Sequence, residues 1–122
     1  MITVNDIVAY METIAPQRKK ESWDNVGLSC GRPDKQVHTI LVALDPFEDV
    51  AEEAVSLGAD LIVTHHPLLF YPAYQVTSDS AIGRTILALV RHDIAAFSAH
   101  TNLDIAPEGV SACLAASLGL EH

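Results

Sequence analysis

The sequence predicts a single α/β domain built on a mostly parallel sheet flanked by helices. Three observations carry this. Apolar patterns of strand and helix type alternate along the chain, which is the signature of parallel strands joined by helical crossovers. The strand-like runs are short, continuous and partly β-branched, as in strands covered by helices. The chain has 122 residues, 49% hydrophobic and 19% charged, enough for one core without cross-links.

The elements follow in order. Val4, Ile7, Val8, Met11 and Ile14 recur at helical spacing, with Thr3 or Asn5 as cap and Pro16 as stop. Gln17 to Asn25 is polar and reads as loop. Gly27 to Gly31 reads as a short extended segment, and Arg32-Pro33-Asp34 as a turn. His38 to Leu44 is the first clear strand, expected to be buried on both faces. Asp45 then suits a helix cap and Pro46 a first helical turn, before Phe47, Val50, Ala51, Ala54 and Val55, with Gly58 as stop. A second strand, Leu61 to Thr64, runs into His65-His66-Pro67. After a long aromatic-bearing loop, 68–80, Ala81 to Arg91 reads as a helix with Ile82, Ile86, Leu87 and Val90 inward. Ile94 to Ser98 is a third strand, ending toward His100 and Asp104. Pro107 opens a last helix carrying Val110, Leu114 and Leu118, closed by Gly119. The domain is thus expected over 1–119, and residues 120–122 resemble the start of a histidine tag.

Composition narrows the function classes. The net charge is −9, from 7 basic and 16 acidic residues, which disfavours a nucleic-acid backbone as partner. The apolar runs are too short for a membrane-spanning helix, and the N-terminus lacks the pattern of a secretory signal. A cytoplasmic location is the expectation. Cys30 and Cys113 form no metal-binding or redox pair and are expected as reduced, packed thiols.

The chemistry-bearing residues gather where the strands end. In parallel α/β sheets, ligands bind beyond the carboxyl ends of the strands. Asp45, His65, His66, His100 and Asp104 all follow strands and so should share one rim. Imidazole and carboxylate together suit zinc, iron, manganese or nickel. Adjacent residues in extended chain point to opposite sides, so His65 and His66 are expected to serve two different ions of a pair. The plainer alternative is a His-His surface turn, with Asp104 capping a helix. His38 and His92 read as structural, and Trp23 as core or interface. Asp24 and Asn25 could form a turn. No nucleophile elbow, phosphate loop or dinucleotide fingerprint is present.

Four stretches together resemble one family. They are Ser22-Trp23-Asp24-Asn25-Val26-Gly27-Leu28, Val42-Ala43-Leu44-Asp45, the run from Gly58 to Leu68 containing His65-His66-Pro67, and Ala99-His100-Thr101-Asn102-Leu103-Asp104. In this order and spacing they resemble the Nif-three-like metal-binding proteins, also called type 2 GTP cyclohydrolase I. The resemblance covers almost the whole chain and implies a dinuclear site. His65, His66 and Asp104 would be metal ligands, and His100 a neighbouring proton carrier. Asn25 and Asp45 would line the cavity. It further implies a small-molecule, nucleotide-type substrate hydrolysed by metal-activated water, and homo-oligomers, dimers or hexamers. Family members are about twice as long, and their further His and Glu ligands lie near the far end. Three of five ligands are therefore expected here, so this chain reads either as a metal-dependent hydrolase, or its N-terminal half, or as a non-catalytic metal-binding or regulatory module. A third reading, a protein-interaction domain, uses the His-His turn only for packing.

Overall fold

The computed structural model describes residues 1–121, so His122 of the tag-like ending lies outside the described residues. Helix α1 spans Val4–Ile14. Thr3, rather than Asn5, caps it. The Thr3 hydroxyl accepts from the Asp6 amide, while the Asp6 carboxylate accepts from the Thr3 amide at 2.9 Å. A 3-10 turn over Gln17–Lys19 begins the expected polar loop. The strands are β1 (Gly27–Cys30), β2 (Ile40–Ala43), β3 (Leu61–Thr64) and β4 (Ala95–Ser98). Helices α2 (Glu48–Leu57) and α3 (Ala81–Arg91) cross between the parallel strands. Helices α4 (Thr101–Asp104) and α5 (Val110–Ser117) follow the last strand.

The four strands form one sheet in the order β1-β4-β3-β2. β2, β3 and β4 run parallel, and β1 pairs antiparallel with β4. The mostly parallel, helix-flanked sheet expected from the pattern is therefore present. On one face Ile62 and Ala96 pack with Ala51, Ala54 and Leu89 from α2 and α3. On the other, Leu61, Ala95 and Phe97 pack with Val4, Ile7, Val8 and Met11 of α1. Gly58, at φ 64°, ends α2 in the left-handed conformation that costs glycine little.

Several local expectations are corrected. β2 is not buried on both faces. It is an edge strand, and Leu41 packs inward while Val42 is 74% exposed. Register explains this: Ile40 lies opposite Leu61, on the face covered by α1, and α1 covers Leu61 and Phe97 without reaching the edge. Asp45 caps no helix, because the cap position of α2 is Phe47, two residues later, and the carboxylate is engaged by His66. In α3 the buried positions are Gly83, Thr85 and Leu89, while Ile82 and Val90 face out. Thr77 and Ser78 lie against the first turn of this helix, Thr77 O beside Gly83 and Ser78 O accepting from Arg84 Nη1 at 3.0 Å. Asp104 lies in the short helix α4, and α5 leaves Val110, Leu114 and Leu118 exposed. Cys113 is exposed rather than packed, while Cys30 is half-buried, and burial raises its thiol pKa.

Candidate metal centre

Register places the site. Ala43, Thr64 and Ser98 are level across the three parallel strands, so all three strands end on one rim. The ladder continues past them: the Ala99 amide donates to Thr64 O at 3.1 Å, and the His66 amide to Leu44 O at 3.0 Å. The Thr64 hydroxyl, itself buried, donates to His66 O at 2.7 Å. This bend takes His65 and His66 out of the extended conformation, so strict alternation does not apply to them. Their rings lie 5.1 Å apart, centroid to centroid. The His100 ring is 5.0 Å from that of His65 and 5.5 Å from that of His66.

One ring nitrogen from each of His65, His66 and His100 lies within 4.8 Å of the others, a cluster that could hold a metal ion. Each ring is oriented from behind through Nδ1. His65 Nδ1 lies 2.9 Å from the Ala99 carbonyl, His66 Nδ1 lies 2.5 Å from Asp45 Oδ1, and His100 Nδ1 lies 3.0 and 3.1 Å from the two oxygens of Asp24. A carbonyl or carboxylate oxygen can only accept, so Nδ1 carries the proton in each ring and Nε2 keeps its lone pair. That arrangement is characteristic of imidazoles prepared as metal ligands. Asp104 Oδ1 stands 3.5 Å from His65 Nε2. Two donors sharing a tetrahedral zinc ion through bonds of about 2.1 Å stand about 3.4 Å apart, so this pair has the spacing of co-ligands. The donor set therefore fits a divalent transition metal.

The other candidate residues divide. Asp45 reaches the site through His66. Asn25 does not meet the histidines; its side-chain amide donates to Leu69 O at 2.7 Å and so fastens the loop after the His-His bend. Its neighbour Asp24, read from sequence as part of a turn, is the residue that reaches the cluster. The Asp24 side chain is fully buried. Burial alone would raise its pKa, but hydrogen bonds from His100, Thr101 and the Asn25 amide outweigh this and bring it down to about 2. The carboxylate is thus ionised at neutral pH. The only cue in sequence was its place between Trp23 and Asn25 in a motif-like stretch. Trp23 is 60% exposed, not core, and its ring meets Phe70 at 6.0 Å, with Phe70 in turn 6.3 Å from His100. A cavity of about 440 Å³ between Phe47, Pro67, Leu68 and Ile82 lies nearby, but none of the three histidines lines it.

Residues 2–122 match the family model described as Duf34/NIF3 (NGG1p interacting factor 3). The chain belongs to this family. It is 47% identical over 116 residues to a protein of Clostridium perfringens named GTP cyclohydrolase 1 type 2 homolog, covering 95% of this chain and 44% of that protein. A Streptomyces coelicolor protein of the same name is 42% identical over 120 residues, covering 98% and 42% respectively. Among solved structures, a Bacillus cereus protein related to NIF3 superposes with a TM-score of 0.93 at 38% identity, covering all of this chain and 34% of that one. The chain thus spans less than half the length of these NIF3 relatives. Among the described residues no helix is long and apolar enough to cross a membrane.

Proposed function

We propose that this NIF3-family chain contributes His65, His66 and Asp104 as ligands, with His100 beside them as proton carrier, to a dinuclear divalent-metal centre that hydrolyses a small molecule, with residues 1–119 forming the N-terminal domain of that enzyme. One observation carries the reading: all three clustered imidazoles are held through Nδ1, so that three Nε2 lone pairs are available on one rim. The histidine cluster could hold a metal ion, and Asp104 Oδ1, 3.5 Å from His65 Nε2, adds a carboxylate through which a second ion could be bound. Zinc, iron, manganese and nickel all accept this donor set. When bound, such ions supply Lewis acidity toward water and substrate oxygen.

The chain's own residues supply the rest. Asp45 and the Ala99 carbonyl hold the rings of His66 and His65. Asp24 holds His100, whose Nε2 can accept or return a proton beside the metal ligands. The name shared by the relatives makes a purine nucleotide the first substrate to test. We further propose a homo-oligomer, dimer or hexamer, in the cytoplasm.

A second reading, a non-catalytic metal-binding or regulatory module, draws on the chain's span of less than half its relatives' length, and none of the three histidines lines the cavity beside Pro67 and Leu68. Elemental analysis of the untagged protein, with GTP hydrolysis measured with and without chelator, separates the two. The enzyme reading expects one or two transition-metal ions per chain, lost in His65→Ala and Asp104→Ala, and turnover abolished by chelator. Metal bound without turnover on any of a panel of nucleotides, in this chain and in a full-length relative, supports the second. Metal content unchanged in both variants sinks the site itself.

A further inference from the structure

We propose that Asp24 is the positioning residue of His100, fixing which ring nitrogen faces the metal cluster; the inference rests on the proposed role of His100 at that centre. Asp24 comes from outside the three strand ends that form the rim. Its Oδ1 accepts from the Asn25 amide at 2.9 Å and from His100 Nδ1 at 3.0 Å. Its Oδ2 accepts from the Thr101 amide at 3.1 Å and from the Thr101 hydroxyl at 2.6 Å. Every group facing this buried carboxylate is thus a donor. An acceptor-only group is required, and the ring can meet it only with an N–H.

The backbone of His100 is clamped separately. Its amide donates to Asn102 Oδ1 at 3.0 Å, and Asn102 Nδ2 donates to Ala15 O at 2.9 Å. With backbone and ring both held, Nε2 is the nitrogen left for the cluster with His65 and His66, and the ring cannot flip without withdrawing Nδ1 from Asp24. Asp45 plays the matching part for His66, but its carboxylate is only half-buried, so water can substitute. Asp24 is sealed from water, so nothing replaces it.

The test is the tautomer of His100, read by long-range 1H–15N correlation on metal-free protein. It is measured at about pH 8, above the ordinary imidazole range, with the signals assigned by their loss in His100→Gln. The wild-type ring is expected in the Nδ1–H form. In Asp24→Asn the amide nitrogen opposes a ring of donors, and the form is expected to shift toward Nε2–H. Thr101→Val removes one donor to Asp24 but leaves the ring contact, so it is expected to lower stability while keeping the wild-type tautomer. Zinc, titrated as the metal alone, is expected to bind the wild-type protein. An Nε2–H ring in the wild type, or an unchanged tautomer in folded Asp24→Asn, overturns the proposal. If Asp24→Asn does not fold, the wild-type tautomer decides alone. Absence of zinc binding in the wild type counts against the metal centre, whereas the tautomer still judges Asp24.

Discussion

Replacing Gly83 with alanine pits helix propensity against tertiary packing. Gly83 lies in the first turn of α3, where its amide donates to the capping Ser80 hydroxyl at 3.0 Å. By propensity alone, alanine in a helix is favoured over glycine by about 1 kcal/mol. The structure reverses the sign. A Cβ at Gly83 would lie 1.8 Å from the Thr77 carbonyl oxygen and 2.9 Å from the Thr77 amide nitrogen. Those are backbone atoms and cannot swing aside as a side chain would. The 65–80 segment would have to withdraw by more than an ångström, against the bond from Arg84 Nη1 to Ser78 O at 3.0 Å. Forcing atoms into a packed site costs about 1–3 kcal/mol, and backbone displacement belongs at the upper end. After subtracting the propensity gain, Gly83→Ala should destabilise by about 1–2 kcal/mol, lowering the melting temperature by roughly 4 °C per kcal/mol. Urea denaturation followed by far-ultraviolet circular dichroism measures this. Gly58→Ala is the control: its φ is 64° with nothing within 4 Å, so only backbone strain of about 1 kcal/mol applies. A Gly83→Ala protein as stable as the wild type, or more so, would refute the packing argument.

Asp93 bonds the Arg32 guanidinium at 2.8 Å, and chiefly through that bond its pKa falls from an ordinary 3.8 to about 2. Its contribution to stability is complete above about pH 4 and fades as pH falls toward 2. Arg32→Met should therefore lower the urea midpoint at neutral pH, with the difference shrinking as pH falls from about 4 toward 2 and vanishing only below it; a pH-independent difference would exclude the linkage. Ile62→Ala should cost about 2–5 kcal/mol because Ile62 is sealed between the sheet and α2 and α3. Val42→Ala, on the exposed face of the edge strand, should stay within about 0.5 kcal/mol. Comparable losses in the two variants would mean that the face of β2 bearing Val42 is covered in solution.

Local pattern made much of this protein legible. Leu61–Thr64 and Ala81–Arg91 were readable to the residue, because each is a strong apolar pattern bounded by clear stop signals. The rim followed from topology: once the strands are parallel, whatever follows each of them lies at one edge, and so His65, His66, His100, Asp45 and Asp104 were brought together on paper. What the pattern could not decide was anything that depends on which surface another element happens to cover. Val42 and Leu41 look equivalent in sequence, but α1 stops short of the sheet edge while α2 and α3 reach it. Leu114 has helical spacing like any core residue, yet α5 leaves it 58% exposed. Asp24 looked like a turn residue because its partners are 76 and 77 positions away. Residue type and spacing determined which groups are available and on which edge they stand. Only the packed chain decided which of them are buried, and burial is what turns an ordinary aspartate into a fixed, ionised anchor for His100.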